Sequence, residues 1–379
     1  MIDIGSSNTA KEIMHQPDLW LKTYSFIDSK RKELGSFMTK ALMFENLRII
    51  LIGAGTSAYI GEVLQNSMQR KLNRVTQAVA STDFISHPKD FIAKENEPIL
   101  LISFARSGDS PESLASVNLA NTYCSKLFHL IITCNPKGKL ASNADDENTF
   151  VLLMPEEAND KGLAMTGSFT SMLLAGLLLS DFEKFDQNKG YVEQMAKYGS
   201  LILEKYSQKI KEVATLDFNR VIFLGSGSLK GIARESQLKV QELSDGQVIC
   251  KYDSFLGVRH GPKAIIKDST LIVYIFSSDS YVNKYEYDLV RSINQQKEKL
   301  YEIGIGEALK QKGDISLDLS IEVADVNQIP EEYFAVCAIL PGQILGLYKS
   351  INLGLHPDSP SVNNSINRVV QGVNIYKLN

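Results

Sequence analysis

Two stretches of this chain read as the same device: an apolar run of strand length that ends in a glycine-rich turn and opens a helix. Leu47-Arg48-Ile49-Ile50-Leu51-Ile52 leads into Gly53-Ala54-Gly55-Thr56-Ser57, and Arg220-Val221-Ile222-Phe223-Leu224 leads into Gly225-Ser226-Gly227-Ser228. Continuous apolar runs, unlike alternating ones, belong to strands covered on both faces, which is the condition of a parallel sheet. Such runs alternate with helical patterns along the whole chain. In the first half, strands are expected at 48–53, 77–80, 99–104, 127–133 and 150–154, with helices at 58–72, 111–123 and 168–182. In the second half, strands are expected at 221–225, 247–252, 270–276, 300–305 and 320–323, with helices at 229–245, 282–296 and 331–352. Pro341 should kink or break the last of these, because it lacks the N–H that a helix interior needs. The halves match in order and approximate length. The expected fold is α/β: two tandem domains, each a parallel five-stranded sheet flanked by helices. The expected boundaries are a helical arm at 1–45, a first domain at 46–200 and a second at 215–379, with the polar helical stretch 183–217 joining them. Trp20, the only tryptophan, is expected to anchor the arm to the body.

A chain of 379 residues exceeds one ordinary core, in keeping with two domains. Lys and Arg number 40 against 44 Asp and Glu, a net charge of −4, so neither nucleic acid nor a membrane surface is an expected partner. The polar start, residues 1–11, lacks the apolar segment of a secretory signal, and the apolar run 172–179 is far short of a membrane span. The four cysteines, Cys124, Cys134, Cys250 and Cys337, form no metal-ligand spacing and are expected to be reduced thiols in a cytoplasmic protein.

A glycine turn that opens a helix offers unpaired N–H groups and the positive end of the helix dipole to an anion. The segment 53–58 also fits the loose dinucleotide pattern G-x-G-x-x-G/A, but Asp83 falls too late to serve as the companion acid, and no P-loop occurs. A second polar turn decides between the readings. The run 99–103 ends in Phe104-Ala105-Arg106-Ser107-Gly108-Asp109-Ser110-Pro111-Glu112. Ser110 suits an N-cap and Pro111 the first helical position, but capping explains only one of these hydroxyls. Two hydroxyl-rich turns after strands of one open sheet lie where ligands of such sheets bind, and they fit a phosphate monoester. For Gly225 and Gly227, backbone geometry alone is a sufficient reason.

In these turns and in the segments that follow, the chain resembles the sugar isomerase (SIS) family over nearly its whole length. Ala105-Arg106-Ser107-Gly108-Asp109-Ser110 is similar to the family's phosphate loop S-x-S-G-[ED]-[ST], with Ala105 in place of the first serine, and Gly55-Thr56-Ser57 resembles its G-T-S turn. Ser103 or Arg106 would make up for the missing hydroxyl. Leu238-Lys239-Val240-Gln241-Glu242 followed by His260-Gly261-Pro262-Lys263 is similar to the catalytic helix and histidine loop in the isomerase half of glucosamine-6-phosphate synthase. That enzyme's glutaminase domain has no counterpart here, and its tail lysine falls at Gln371. Segments 16–20, 103–108, 253–263 and 367–372 resemble the AgaS-type enzymes, a family of galactosamine-6-phosphate deaminase/isomerases that yield tagatose 6-phosphate and ammonia.

The resemblance implies a set of roles. Gly55, Thr56, Ser57, Ser103, Arg106, Ser107, Gly108 and Ser110 would bind the sugar phosphate, and Lys239 would also touch substrate. Glu242 would carry a proton from C2 to C1, and His260 would handle ring opening. On pattern alone, Glu235, Lys239 and Glu242 read as a solvated charged face and His260 as a surface histidine; it is the family register that gives them roles. No cofactor or metal is implied. The relatives imply a homodimer or higher homo-oligomer with shared active sites. An aldose–ketose isomerase that releases no ammonia and a non-catalytic sugar-phosphate sensor remain as alternatives. Galacto and gluco substrates differ in the configuration of one hydroxyl, at C4, which a few hydrogen bonds would read.

Overall fold

The computed structural model describes residues 7–92, 97–144, 147–296, 298–309, 315–323, 328–370 and 372–377. Three helices open the chain: α1 (Asn8–Met14), α2 (Gln16–Ser29) and α3 (Arg31–Leu42). The first sheet's elements follow: β1 (Arg48–Gly53), α4 (Thr56–Leu72), β2 (Thr76–Ala80), α5 (Ser81–Ser86), α6 (Pro88–Phe91), β3 (Ile99–Ala105), α7 (Pro111–Tyr123), β4 (Leu127–Thr133), α8 (Lys139–Ser142), β5 (Thr149–Leu153) and α9 (Gly167–Ser180). A long helix, α10 (Phe185–Ala214), comes next. The second sheet's elements are β6 (Arg220–Gly225), α11 (Ser228–Leu243), β7 (Ile249–Asp253), β8 (Thr270–Ile275), α12 (Ser280–Asn294), β9 (Tyr301–Gly306), β10 (Leu319–Glu322), α13 (Glu331–Ala338) and α14 (Leu340–Asn352).

The expected strands and helices are all present, with ends shifted by a residue or two. The helical stretch 331–352 is broken beside Pro341, as that residue implies, into α13 and α14. Pro341 falls in the first turn of α14, where its missing N–H is one that no helix would pair. Both sheets are wholly parallel and have the same order, β2-β1-β3-β4-β5 and β7-β6-β8-β9-β10. The duplication read from the sequence is therefore a duplication of topology. In this order the first and third strands are neighbours whose connections leave in opposite directions, which creates a crevice at their carboxyl ends.

The chain divides into two compact units. One is drawn from Asp18–Asp160, Met165–Gly190 and Ile366–Asn379 and holds the first sheet; the other is drawn from Met1–Pro17, Lys161–Ala164 and Tyr191–Ser365 and holds the second. In the first unit, Ile50, Ile52 and Leu101 of the sheet pack against Phe84 of α5 and Ala120 of α7. On the opposite face Gly61 brings α4 onto Leu51 and Ala78. Every residue of α9 is buried, as a helix apolar on all sides must be. Phe37 of α3 meets Phe128 and Phe150 of the sheet, and Trp20 of α2 is fully buried, so these arm helices are part of the body.

In the second unit, Ile222, Leu224, Ile272 and Tyr274 pack against Tyr287, Leu289, Val290 and Ile293 of α12. Each such side chain contributes about 1.5–3 kcal/mol by leaving water. Among the described residues, one helical stretch, Glu331–Asn352, has the length and apolarity to cross a bilayer, and it is almost entirely buried inside the protein. Part of what buries it is α11, which α14 approaches through two glycines. A Cβ on Gly342 would lie 2.6 Å from Ser236 Cβ, and one on Gly346 would lie 3.0 Å from the carbonyl oxygen of Lys239. Gly342→Ala should therefore force these helices apart and cost about 1–3 kcal/mol. Urea unfolding checks this, and an unchanged midpoint would show that the contact has room to spare.

Candidate active site

The two glycine turns are the same in backbone as well as in sequence. Gly55 has φ +55° and ψ −129°, and Gly227 has φ +55° and ψ −126°, a conformation that residues with a Cβ rarely adopt. Gly53 and Gly225 are needed for a different reason. A Cβ on Gly53 would lie 2.6 Å from the Ser57 carbonyl carbon, and one on Gly225 would overlap the Leu229 carbonyl. The backbone bonds Ser57 N–H to Ala54 and Leu229 N–H to Ser226 put Ser57 and Leu229 at equivalent positions. The hydroxyl of the first copy is thus an aliphatic core side chain in the second, and Leu229 is fully buried.

In the first unit, β1 and β3 are neighbours, so the turns 53–57 and 105–110 meet at the sheet's crevice. Thr56 and Ser57 are almost buried there, and Ser57 Oγ lies 3.9 Å from Met165 Sδ. The second turn is braced from below. Gly108 adopts φ +69°, Asn135 Nδ2 donates to the Ser107 carbonyl at 2.9 Å, and Leu140 N–H donates to the Gly108 carbonyl at 3.0 Å. The Ser107 and Ser110 side chains remain partly exposed. Ser107 Oγ accepts from the Asp109 N–H, and Ser110 Oγ caps α7 by accepting from the Ser113 N–H.

Ser103 and Arg106, expected to replace the hydroxyl absent at Ala105, have partners within the protein. Ser103 Oγ is 2.8 Å from His129 Nε2, and both residues are buried. Arg106 Nη2 donates to the main-chain carbonyl of Arg368 at 2.7 Å. His129 and Arg368 act through contacts across the fold, which no local sequence pattern signals.

The matching crevice of the second unit is filled by carboxylates. Glu331 accepts from Ser228 Oγ at 3.3 Å, from the Ser278 N–H at 3.1 Å and from Ser277 Oγ. Beside it, Glu286 accepts from the Ser277 N–H at 3.0 Å and from Asn283 Nδ2 at 3.1 Å. Burial pushes the Glu286 carboxyl up to about 7, with the charge of Glu331 adding to the effect. The hydroxyls of Ser228 and Ser277 and the N–H groups of Ser277 and Ser278 are thus engaged by side chains of the same unit.

The second unit supplies instead a charged cluster on α11. Lys239 Nζ lies 3.3 Å from Glu235 Oε1 and 2.6 Å from Glu242 Oε2. The Glu235 and Lys239 side chains are buried, whereas that of Glu242 is 22% exposed. Burial alone would lower the Lys239 pKa, but the charges of Glu235 and Glu242 and their hydrogen bonds outweigh it and raise it. The face that pattern alone reads as solvated is therefore a buried ion cluster with one accessible carboxylate. His260 is in the loop between β7 and β8, which Phe255, Val258 and Ile266 anchor in the core. These apolar legs leave Leu256, Arg259 and His260 exposed, with Gly261 at φ +117° completing the turn. Gln371, the counterpart of the synthase lysine, lies outside the described residues.

No thiol competes for a catalytic role. All four are free, and burial raises each pKa, that of Cys124 to about 11. Among the described residues, no three His, Cys, Asp or Glu side chains are grouped to hold a metal.

A duplicated 2-1-3-4-5 sheet with hydroxyl turns at the crevice of its first copy defines a tandem SIS-domain protein, and the SIS domain family matches residues 42–180. The chain belongs to the AgaS family within that class. It is 39% identical to the Escherichia coli D-galactosamine-6-phosphate deaminase AgaS over 374 residues, 97% of this chain and 95% of that one. A crystal structure from Clostridium novyi NT superposes with a TM-score of 0.93 at 40% identity, covering 98% of this chain and 95% of that one. The structure of tagatose-6-phosphate ketose/aldose isomerase from Escherichia coli gives 0.90 at 36% identity, over 98% and 96%.

The Ser103–His129 pair generates a pH prediction. Burial lowers the His129 pKa from its ordinary 6.5 to about 4. Between these values the unfolded chain binds a proton that the folded chain does not, so stability is fully present above pH 6.5 and falls as the pH drops toward 4. The slope from this one group reaches at most about 1.4 kcal/mol per pH unit. His129→Gln, which can still bond Ser103, should flatten the urea-midpoint profile over that window; an unchanged profile would remove His129 as its source.

Proposed function

We propose that this chain is an amino-sugar-phosphate deaminase/isomerase that converts D-galactosamine 6-phosphate to D-tagatose 6-phosphate and ammonia. The observation that carries the reading is Glu242, the accessible end of the Glu235–Lys239–Glu242 cluster, in a chain of the AgaS family. In this reading the phosphate is held by Ser57, Ser107 and Ser110, with Thr56 and the backbone N–H groups around Gly55 and Gly108. A dianionic phosphate suits donors at a helix N-terminus and at a crevice of this kind.

The chemistry divides among few groups. His260 moves the protons of ring opening through its imidazole, which can both donate and accept them. Glu242 removes the C2 proton of the open-chain amino aldose while O1 takes a proton from solvent, giving an enolamine. It then returns its proton to C1 while the nitrogen releases one to solvent, giving the ketimine. Water then adds to the imine carbon, and ammonia leaves as the C2 ketone forms. Lys239 fixes the Glu242 carboxylate by a charge-assisted hydrogen bond, and Glu235 compensates Lys239 in a place where a lone charge would be costly. The steps need neither an oxidant nor a metal. The galacto configuration follows the names of the relatives. A cytoplasmic location suits such a substrate.

Glu242→Gln keeps the shape but removes the base, so turnover should fall about 100-fold or more while substrate still binds. The measurement is ammonia and ketose phosphate released from galactosamine 6-phosphate and glucosamine 6-phosphate. Wild-type turnover in the Gln variant would remove Glu242 from the mechanism. An absence of ammonia from both sugars, together with activity on neutral aldose phosphates, would make the chain a plain aldose–ketose isomerase.

His260 is exposed on an anchored loop, which suits a homo-oligomer in which this residue serves a neighbouring subunit's site. Mixing inactive Glu242→Gln and His260→Ala proteins should then restore activity, because some mixed dimers contain one intact site. No recovery after demonstrated subunit exchange would place His260 in its own subunit's site or outside catalysis.

A further inference from the structure

We propose that Arg106 is a positioning residue that clamps the C-terminal segment to the loop 105–110, so that tail and loop are held as one piece; this deepens the reading of that loop as the phosphate site. Arg106 is only 6% exposed, and its Nη2 donates to the carbonyl of Arg368, 262 positions away. The tail is fixed from its other side by Arg368 itself. Its Nε and Nη2 donate to the Asp160 carbonyl at 3.0 and 2.6 Å, and Nη2 also reaches Asn159 Oδ1 at 2.9 Å. The tail is thus fixed twice at residue 368, by Arg106 at its carbonyl and by its own guanidinium at Asn159 and Asp160.

The fixed point is rigid. The Asp160 carboxylate accepts from the N–H groups of Thr166, Gly167 and Ser168 at 2.8 to 3.0 Å, capping the N-terminus of the fully buried α9. Met165, at that same turn, is the residue beside Ser57 Oγ. The chain of contacts therefore runs from one hydroxyl loop, through Arg106 and the tail, to the helix start beside the other. Beyond Arg368, residues 374–377 lie across from Pro111, Leu114, Ala115 and Leu119 of α7, the two enclosing a cavity of about 830 Å³. Because α7 begins where the loop ends, the tail crosses the loop and then follows its helix. Arg106 binds a main-chain carbonyl, so the contact depends on no particular side chain at 368. A guanidinium held this way orders the tail and places a positive charge beside the loop without being a phosphate ligand.

The test uses full-length Arg106→Gln, Arg106→Lys, Arg368→Ala and the Arg106→Gln/Arg368→Ala double variant. Amide hydrogen exchange of residues 366–377 and the affinity for inorganic phosphate are both measured. Clamping predicts tail exchange accelerated about fivefold or more in Arg106→Gln and in Arg368→Ala, with no further gain in the double variant. It also predicts partial rescue by Lys, which can still donate to one carbonyl, and phosphate affinity within about threefold of wild type. Tail exchange unchanged in Arg106→Gln would overturn the proposal, as would a tenfold or greater loss of phosphate affinity that adds to the Arg368→Ala effect. Ser107→Ala/Ser110→Ala tests the underlying reading separately. If that variant keeps full phosphate affinity, the loop is not the phosphate site, while the exchange data still report whether Arg106 holds the tail.

Discussion

The close approach of a helix's first turn to the end of a central strand is the constraint on which the rest of this structure depends. At Gly53 and Gly225 the following helix comes so near that no side chain fits, and at Gly55 and Gly227 the backbone must take a positive φ. Together these positions aim a helix N-terminus at the crevice between the first and third strands of each sheet. The crevice, its N–H groups and its dipole are thus products of two glycine requirements, each met twice in one chain.

The two copies have kept that geometry and diverged in what fills it. The first presents Thr56 and Ser57 beside the braced turn at Ser107–Ser110. The second has Leu229 at the position of Ser57, and Glu331 and Glu286 accept from Ser228, Ser277 and Ser278. These carboxylates belong to the chain, which gives those donors partners within the protein. The second copy contributes a different asset, the α11 cluster, where the glycines of α14 let two helices approach closely enough to bury Lys239 between acids. Removing one partner of such a group costs about 3–5 kcal/mol, because the other charge is left buried and uncompensated. The only member with appreciable exposure is Glu242, the residue to which the mechanism assigns the proton transfer.

Much of this was legible in the chain. The apolar runs, the helical spacings and the breakers gave both five-stranded sheets, and the repeat of strand, glycine turn and helix gave the duplication. The spacing of Lys239 and Glu242 gave an i, i+3 pair. These are readable because periodicity, backbone torsion and near-neighbour contact are local properties, fixed within a few residues of sequence. Pattern alone could not say that the Glu235–Lys239 face is buried, since burial depends on where α14 packs.

Tertiary structure alone decided the partners of the buried polar groups. Arg106 binds a carbonyl 262 residues away, Ser103 meets His129 across two strands, and Glu331 closes a cradle whose turns lie about 50 and 100 positions earlier in the chain. A charged or hydroxyl side chain withdrawn from water must find a donor or acceptor, but its sequence neighbours do not determine which one. That choice is made by whichever distant segment the packed fold brings within hydrogen-bond reach. For this reason the sequence specified the crevice and its candidate ligands, whereas only the folded chain separated the partly exposed Ser107 and Ser110 from the buried groups Ser103 and Arg106.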